Sequence, residues 1–240
     1  FPIAGTFLII GLVMLAAAMR RMIRGNFSST RVGKKYVPEI FKIVGVAAAF
    51  VFFLVLTTVL GLFWIASGHI PFSNGAETML TIAWTAMLAS VLSFKRFSIM
   101  LPFGIIVASL AALVSAMGNA NPAVTQLMPV LSSPLLSIHV SLMMLSYTVL
   151  AIIMVNGICG LVASLRHTSV SDSASAKMAR MSEALMYPAL FFLGSGIIAG
   201  SIWANVSWGC YWNWDPKETW AIITFLKASL LVNRTRLHFL

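Results

Sequence analysis

The chain has 240 residues, of which 60% are hydrophobic and 9% charged, with a formal net charge of +10. A soluble domain of this length cannot hide so much apolar surface, so the composition points to a polytopic membrane protein. The basic residues sit in short loops between long apolar runs, the pattern that orients inserted helices, and not in a stripe that would track nucleic acid.

Seven spans are predicted, near residues 2–19, 43–66, 77–94, 98–117, 138–164, 184–204 and 219–233. The expected fold class is all-α, a polytopic membrane helix bundle of about seven transmembrane helices. The first span lacks a basic start, and Arg20, Arg21 and Arg24 follow its apolar run, so it does not read as a secretory signal peptide. The first residue is Phe1 and not methionine, and the chain reads as processed or incomplete. The 20–42 loop is strongly basic and suits anionic lipid. Alternating topology places Lys95, Arg96, Arg166, Lys177, Arg180, Arg234 and Arg236 on the same side as that loop. Lys217 alone falls on the other side, and Lys227 lies within the last span. The positive-inside rule makes the basic side cytoplasmic. The segment Trp208 to Trp220 is then external, in a periplasm or lumen.

Some readings are bland. Arg166 to Met181, rich in Ser and Ala, is expected to be a cytoplasmic linker. Cys159 lies in a span and Cys210 in an external loop, so neither a structural disulfide nor an internal redox pair is expected. No phosphate-cradling glycine loop, metalloprotease helix or nucleophile triad is present.

Three external loops can converge on one face: GHIPFSNGAE (Gly68 to Glu77), Gly118 to Ile138 leading into His139, and WGCYWNWDPKETW (Trp208 to Trp220). In the last, Pro216 suits the first position of a helix. Asp215 before it can accept a first-turn N–H, and Glu218 can reach back to the Asp215 N–H, which is a capping box. Asp215 therefore reads first as a helix cap. An aromatic belt at the membrane boundary accounts for Trp203, Trp208 and Trp220. It does not explain why five of the seven tryptophans fall within residues 203–220. That concentration suits a platform for a large flat apolar ligand. His139 is either an interfacial side chain or an axial donor to a metal or porphyrin iron. His69 and His167 read as loop and flank residues. A planar apolar macrocycle with an iron seeking imidazole, haem, fits such a face.

At these residues the chain resembles the WWD-domain haem-handling family of cytochrome c maturation, in its CcsA-type form. Trp208 to Trp220 match the family signature WGxYWxWDPKEtW almost residue for residue. Pro71, Phe72, Ser73, Asn74 and Glu77 resemble its external PxSNxxE segment, and His139 stands where the family has its first external haem-ligating histidine. The likeness runs from about Gly68 to Phe225. It implies a two-span segment over 1–67 and an assembly domain over 68–240. It further implies that haem b is presented on the outer face for attachment to the CxxCH motif of apocytochrome c. The chain would then be a component of a holocytochrome c synthase, or haem lyase, with a CcsB or ResB-like membrane partner. It would sit in a bacterial inner membrane or a thylakoid membrane, with the lipid bilayer and no nucleic acid among its partners. The implied haem-binding residues are His139, Trp208, Tyr211, Trp212, Trp214, Asp215 and Trp220, with His139 the axial iron ligand. The family's further histidine within the last helix is replaced by Asn233, and His238 is a weak substitute. A haem exporter without attachment activity, working through Asn156 and Lys227, and a membrane scaffold are the competing readings.

Overall fold

The computed structural model describes residues 2–24, 36–68, 70–72, 74–94, 97, 99–118, 133–165 and 169–237. The predicted features at His69, Ser73, Lys95, Arg96, Arg166, His167 and His238 lie outside them, as do the middle of the basic loop and residues 119–132.

The described residues form seven helices and no strand: α1 (Pro2–Arg24), α2 (Tyr36–Ser67), α3 (Gly75–Ser93), α4 (Met100–Gly118), α5 (Pro134–Ser164), α6 (Ser169–Trp208) and α7 (Pro216–Leu237). Lipid offers backbone N–H and C=O groups no water, so a spanning segment must satisfy them internally, which a helix does. Six of the seven are long and apolar enough to cross a membrane. The chain is an integral, multi-pass helical membrane protein. The sixth differs from expectation. The Ser- and Ala-rich stretch read as a linker is helical from Ser169 and continuous with the span, making α6 40 residues long with Pro188 inside it. Ala174, Met178 and Met181 recur at helical spacing and are buried, so this stretch has an apolar face to dock. The seventh helix forms where predicted but is not apolar enough to qualify as a span, because Lys217, Glu218 and Lys227 interrupt it.

Neighbours in the bundle are mostly neighbours in sequence. The α5–α6 and α3–α4 pairs make the most extensive contacts, α3 also meets α5, α1 lies on α4, and α7 packs mainly on α6. Helix α4 is the most buried span, and Phe103, Ile105 and Ala108 are wholly enclosed against Phe52, Ala83, Ala86 and Met87. Outward-facing Leu54, Leu62, Leu92, Leu161 and Phe191 are exposed, as a lipid-facing surface requires.

Between hydrocarbon-soluble helices, close packing and hydrogen bonds hold what hydrophobicity cannot. Four of the contacts carry such a stitch. Trp84 Nε1 donates to Thr57 Oγ1 at 2.9 Å between α3 and α2. The Thr85 and Thr148 hydroxyls pair at 2.7 Å between α3 and α5. Ser115 donates to the Ala76 carbonyl at 2.8 Å between α4 and α3. Between α5 and α6, Ser146 donates to the Ala189 carbonyl at 3.0 Å. Asn156 Nδ2 donates there to Met178 O at 2.7 Å and to Ser182 Oγ at 2.6 Å.

The α3–α4 contact depends on Gly104. A Cβ there would collide with the Ser90 side chain and lie 2.9 Å from the Ala86 carbonyl. Gly104→Ala is expected to destabilise the bundle by about 1–3 kcal/mol through overpacking. The check is thermal unfolding of the purified chain in detergent. Adding Ser90→Gly, which removes the colliding side chain, should recover part of the loss.

Candidate functional site

Helices α5, α6 and α7 meet at the end of the bundle where α5 begins, α6 ends and α7 begins. This end is opposite the one carrying Arg20, Lys177 and Arg180. Helix α5 opens with Ser133 at its N-cap and Pro134 in its first turn. Its inner face presents Leu136, His139, Val140, Met143, Met144 and Tyr147, a stripe at three- and four-residue spacing. At ~1.5 Å per residue that stripe is about 16 Å deep.

Helix α6 ends at Trp208. Gly209 follows with φ +75°, and its N–H donates to Asn205 O at 2.9 Å. A left-handed glycine just past the last turn closes a helix without the cost a Cβ would impose. The chain then turns through Cys210 to Trp214 into α7. The cap expected at Asp215 is present: Glu218 N–H donates to Asp215 Oδ1 at 2.8 Å. Its reciprocal half is displaced. Glu218 Oε2 accepts from the Asn213 N–H at 2.8 Å, two residues earlier than a capping box predicts. The reason lies between the two, where Trp214 adopts φ +56°, a left-handed conformation uncommon for a bulky residue. That turn brings the Asn213 amide over the first turn of α7.

The result is a cavity of about 790 Å³ walled by all three helices. Of the residues singled out from the sequence, His139, Trp208, Trp212, Asp215 and Trp220 line it, and Trp203, accounted for as part of an aromatic belt, joins them. Tyr211 and Trp214 do not line it, and both are exposed. Trp214 instead meets Trp212 edge-to-face, with centroids 5.8 Å apart at 84°. Trp203 and Trp208 pair in the same way at 6.4 Å and 89°. The indoles are therefore not one flat bed. Four of the five clustered indoles form two perpendicular pairs, the arrangement that ring quadrupoles favour. The Nε1 atoms of Trp203 and Trp212 are buried without a hydrogen-bond acceptor.

His139 Nδ1 lies 2.7 Å from the Gly196 carbonyl of α6. Cys159 and Cys210 are both free, the first buried and the second exposed with its thiol donating to Trp212 O at 3.2 Å. Among the described residues no three His, Cys, Asp or Glu side chains converge to cage a metal ion. Asn74 caps α3, accepting from the Glu77 N–H at 2.9 Å and donating to Glu77 Oε1 at 3.2 Å. The PxSNxxE segment is thus a helix start, with Glu77 buried. Asn156 is wholly buried and joins α5 to α6, and Lys227 is exposed. Sequence reasoning also missed Met143, Tyr147, Gly200, Lys217 and Thr224 as cavity residues. The i, i+4 row His139–Met143–Tyr147 was the available signal.

Fold and site together define a polytopic helical membrane protein with a deep aromatic cavity at one membrane boundary. The family model described as cytochrome C assembly protein matches residues 72–238. Similar proteins include NrfI of Wolinella succinogenes, 34% identical over 170 residues, which cover 70% of this chain and 19% of that protein. The CcsA cytochrome c biogenesis protein of Guillardia theta is 34% identical over 222 residues, covering 80% of this chain and 72% of the relative. That of Chlamydomonas reinhardtii is 33% identical over 199 residues, covering 77% and 55%. The chain belongs to the cytochrome c assembly protein family.

Asp215→Asn is expected to preserve the loop, since Asn caps as well as Asp, while Asp215→Ala should cost about 0.5–2 kcal/mol. Thermal unfolding of the three proteins checks this. Equal loss from both variants would assign Asp215 a role through its charge.

Proposed function

We propose that this chain acts in cytochrome c biogenesis by holding haem b at the extracytoplasmic face for covalent attachment to the CxxCH motif of apocytochrome c. The observation that carries the reading is that His139 and four tryptophans, distant in sequence, line one cavity. Its volume of about 790 Å³ falls in the ~300–1,000 Å³ range of cofactor sites. The donor set suits haem in particular. A bare metal ion needs several converging protein ligands, whereas a porphyrin brings its own and asks the protein only for axial donors.

In this reading His139 holds the iron. Trp208, Trp212 and Trp220 supply apolar contact to the macrocycle, while Met143 and Met144 line the deeper, drier part of the slot. Lys217, among the residues lining the cavity, is the cation suited to carboxylate oxygens. Bound haem supplies two vinyl groups, each of which takes up a cysteine S–H to give a thioether with no atom lost. The chain's own contribution is positioning: fixing two reacting groups in attack geometry removes much of an entropic barrier. No side chain here is required as a covalent nucleophile.

The position of the basic residues supports an orientation with the cavity facing periplasm or lumen, in a bacterial inner membrane or a thylakoid membrane. A CcsB-type membrane partner and apocytochrome c belong to the same proposal, as does a share in holocytochrome c synthase activity.

The test is the absorption spectrum of the purified full chain after haem addition. A Soret band that shifts in His139→Ala is expected. Trp212→Ala should weaken affinity about tenfold, the ~1–3 kcal/mol that an aromatic face gives a stacked planar ligand. Trp84→Ala, between α2 and α3, should leave the band unchanged. A protein that stays colourless with added haem would instead favour a scaffold. Holocytochrome formation in cells, lost in His139→Ala, separates attachment from export.

A further inference from the structure

We infer that α6 carries a positioning device for His139, in which the Gly196 carbonyl selects the imidazole tautomer and Gly200 makes room for the ring. The inference deepens the haem-presenting reading and takes its purpose from it. Its geometry is independent of haem.

A backbone carbonyl can only accept, so at 2.7 Å the Nδ1 of His139 must carry the proton. In the neutral ring Nε2 is then bare, and it has no hydrogen-bond partner among the described residues. The bare nitrogen is the one that can bind a metal, and a hydrogen bond to the other raises its basicity. The carbonyl has two lone pairs, so Gly196 can serve both its own helix and the imidazole.

The two glycines have different tasks. A Cβ on Gly200 would lie 2.6 Å from both Cε1 and Nδ1 of His139, a rigid ring already tied at one edge. A Cβ on Gly196 would meet the Met143 sulfur at 2.8 Å, near the far end of a flexible side chain that can swing away. Alanine at 200 must move the imidazole. Alanine at 196 moves a thioether and keeps the carbonyl. If the glycines served helix packing alone, the two substitutions would act alike.

The experiment uses the full chain without haem, in lipid nanodiscs, with ¹⁵N-labelled histidine. Ring nitrogen shifts distinguish a protonated from a bare nitrogen, and the His139 signal is the one that disappears in His139→Gln. Wild type and Gly196→Ala should each show one neutral tautomer, with Nδ1 protonated and Nε2 bare. Gly200→Ala should show that tautomer lost or mixed. A wild-type ring protonated at Nε2, or a Gly200→Ala spectrum identical to wild type, overturns the inference. Should Gly200→Ala fail to accumulate, the wild-type tautomer alone decides. With haem added, Gly200→Ala should weaken binding about 10–100-fold, as loss of a ligand's supporting contact does. Haem binding that ignores His139→Ala would remove the axial-ligand role while leaving the tautomer result standing.

Discussion

The close approach of α5 to α6 is the contact on which the rest of the site depends. Lipid tails are as apolar as the helices, so no hydrophobic force drives these two together. Small residues and polar stitches do it instead, from one end of the pair to the other. Gly160 lies against Met178, and Asn156 donates to Met178 O and Ser182. Midway, Ser146 donates to Ala189 O. At the far end Gly196 and Gly200 face Met143 and His139. Because α7 rests mainly on α6, the position of its tryptophan wall relative to His139 is inherited from this one interface.

Much of this was legible in the sequence, for physical reasons that can be named. Apolar runs of spanning length can only be helices in lipid, so the fold class followed. Asp215 followed by Pro216 carries its cap in its own chemistry, and Asp215 does accept from Glu218 N–H. What escaped was whatever depends on a partner distant in the chain. Trp203 passed for a belt residue because nothing local says that α6 turns it toward His139. The stretch from Ser169 looked like a linker because its burying surface belongs to other helices. Counting tryptophans predicted a platform but not that four of its rings form two perpendicular pairs, since ring–ring geometry is set by side-chain packing and not by composition.

Charge is distributed with the same economy. The cavity rim holds Asp215, Lys217 and Glu218. Both carboxylates are already committed, Asp215 to the Glu218 amide and Glu218 to the Asn213 amide. An acidic residue engaged by backbone donors at a helix N-terminus is stabilised where it stands. These acids build the wall, and Lys217 is left as the rim group free to meet a negatively charged part of a ligand.

Trp214 shows how firmly that wall is set. A left-handed backbone at a bulky residue costs on the order of 1–3 kcal/mol and persists only where the surroundings over-determine it. Here they do. Glu218 grips the amide before Trp214, Asp215 caps the helix after it, and the Thr219 hydroxyl donates to Asp215 O at 2.9 Å. Two of these three hydrogen bonds are made to carboxylates, and together they hold the turn on both sides of Trp214. Their effect is to throw the Trp214 ring edge-on against Trp212, which does line the cavity. Trp214 thus acts on the site from outside it, by holding the orientation of a neighbour. The strained turn therefore sets the shape of the cavity wall.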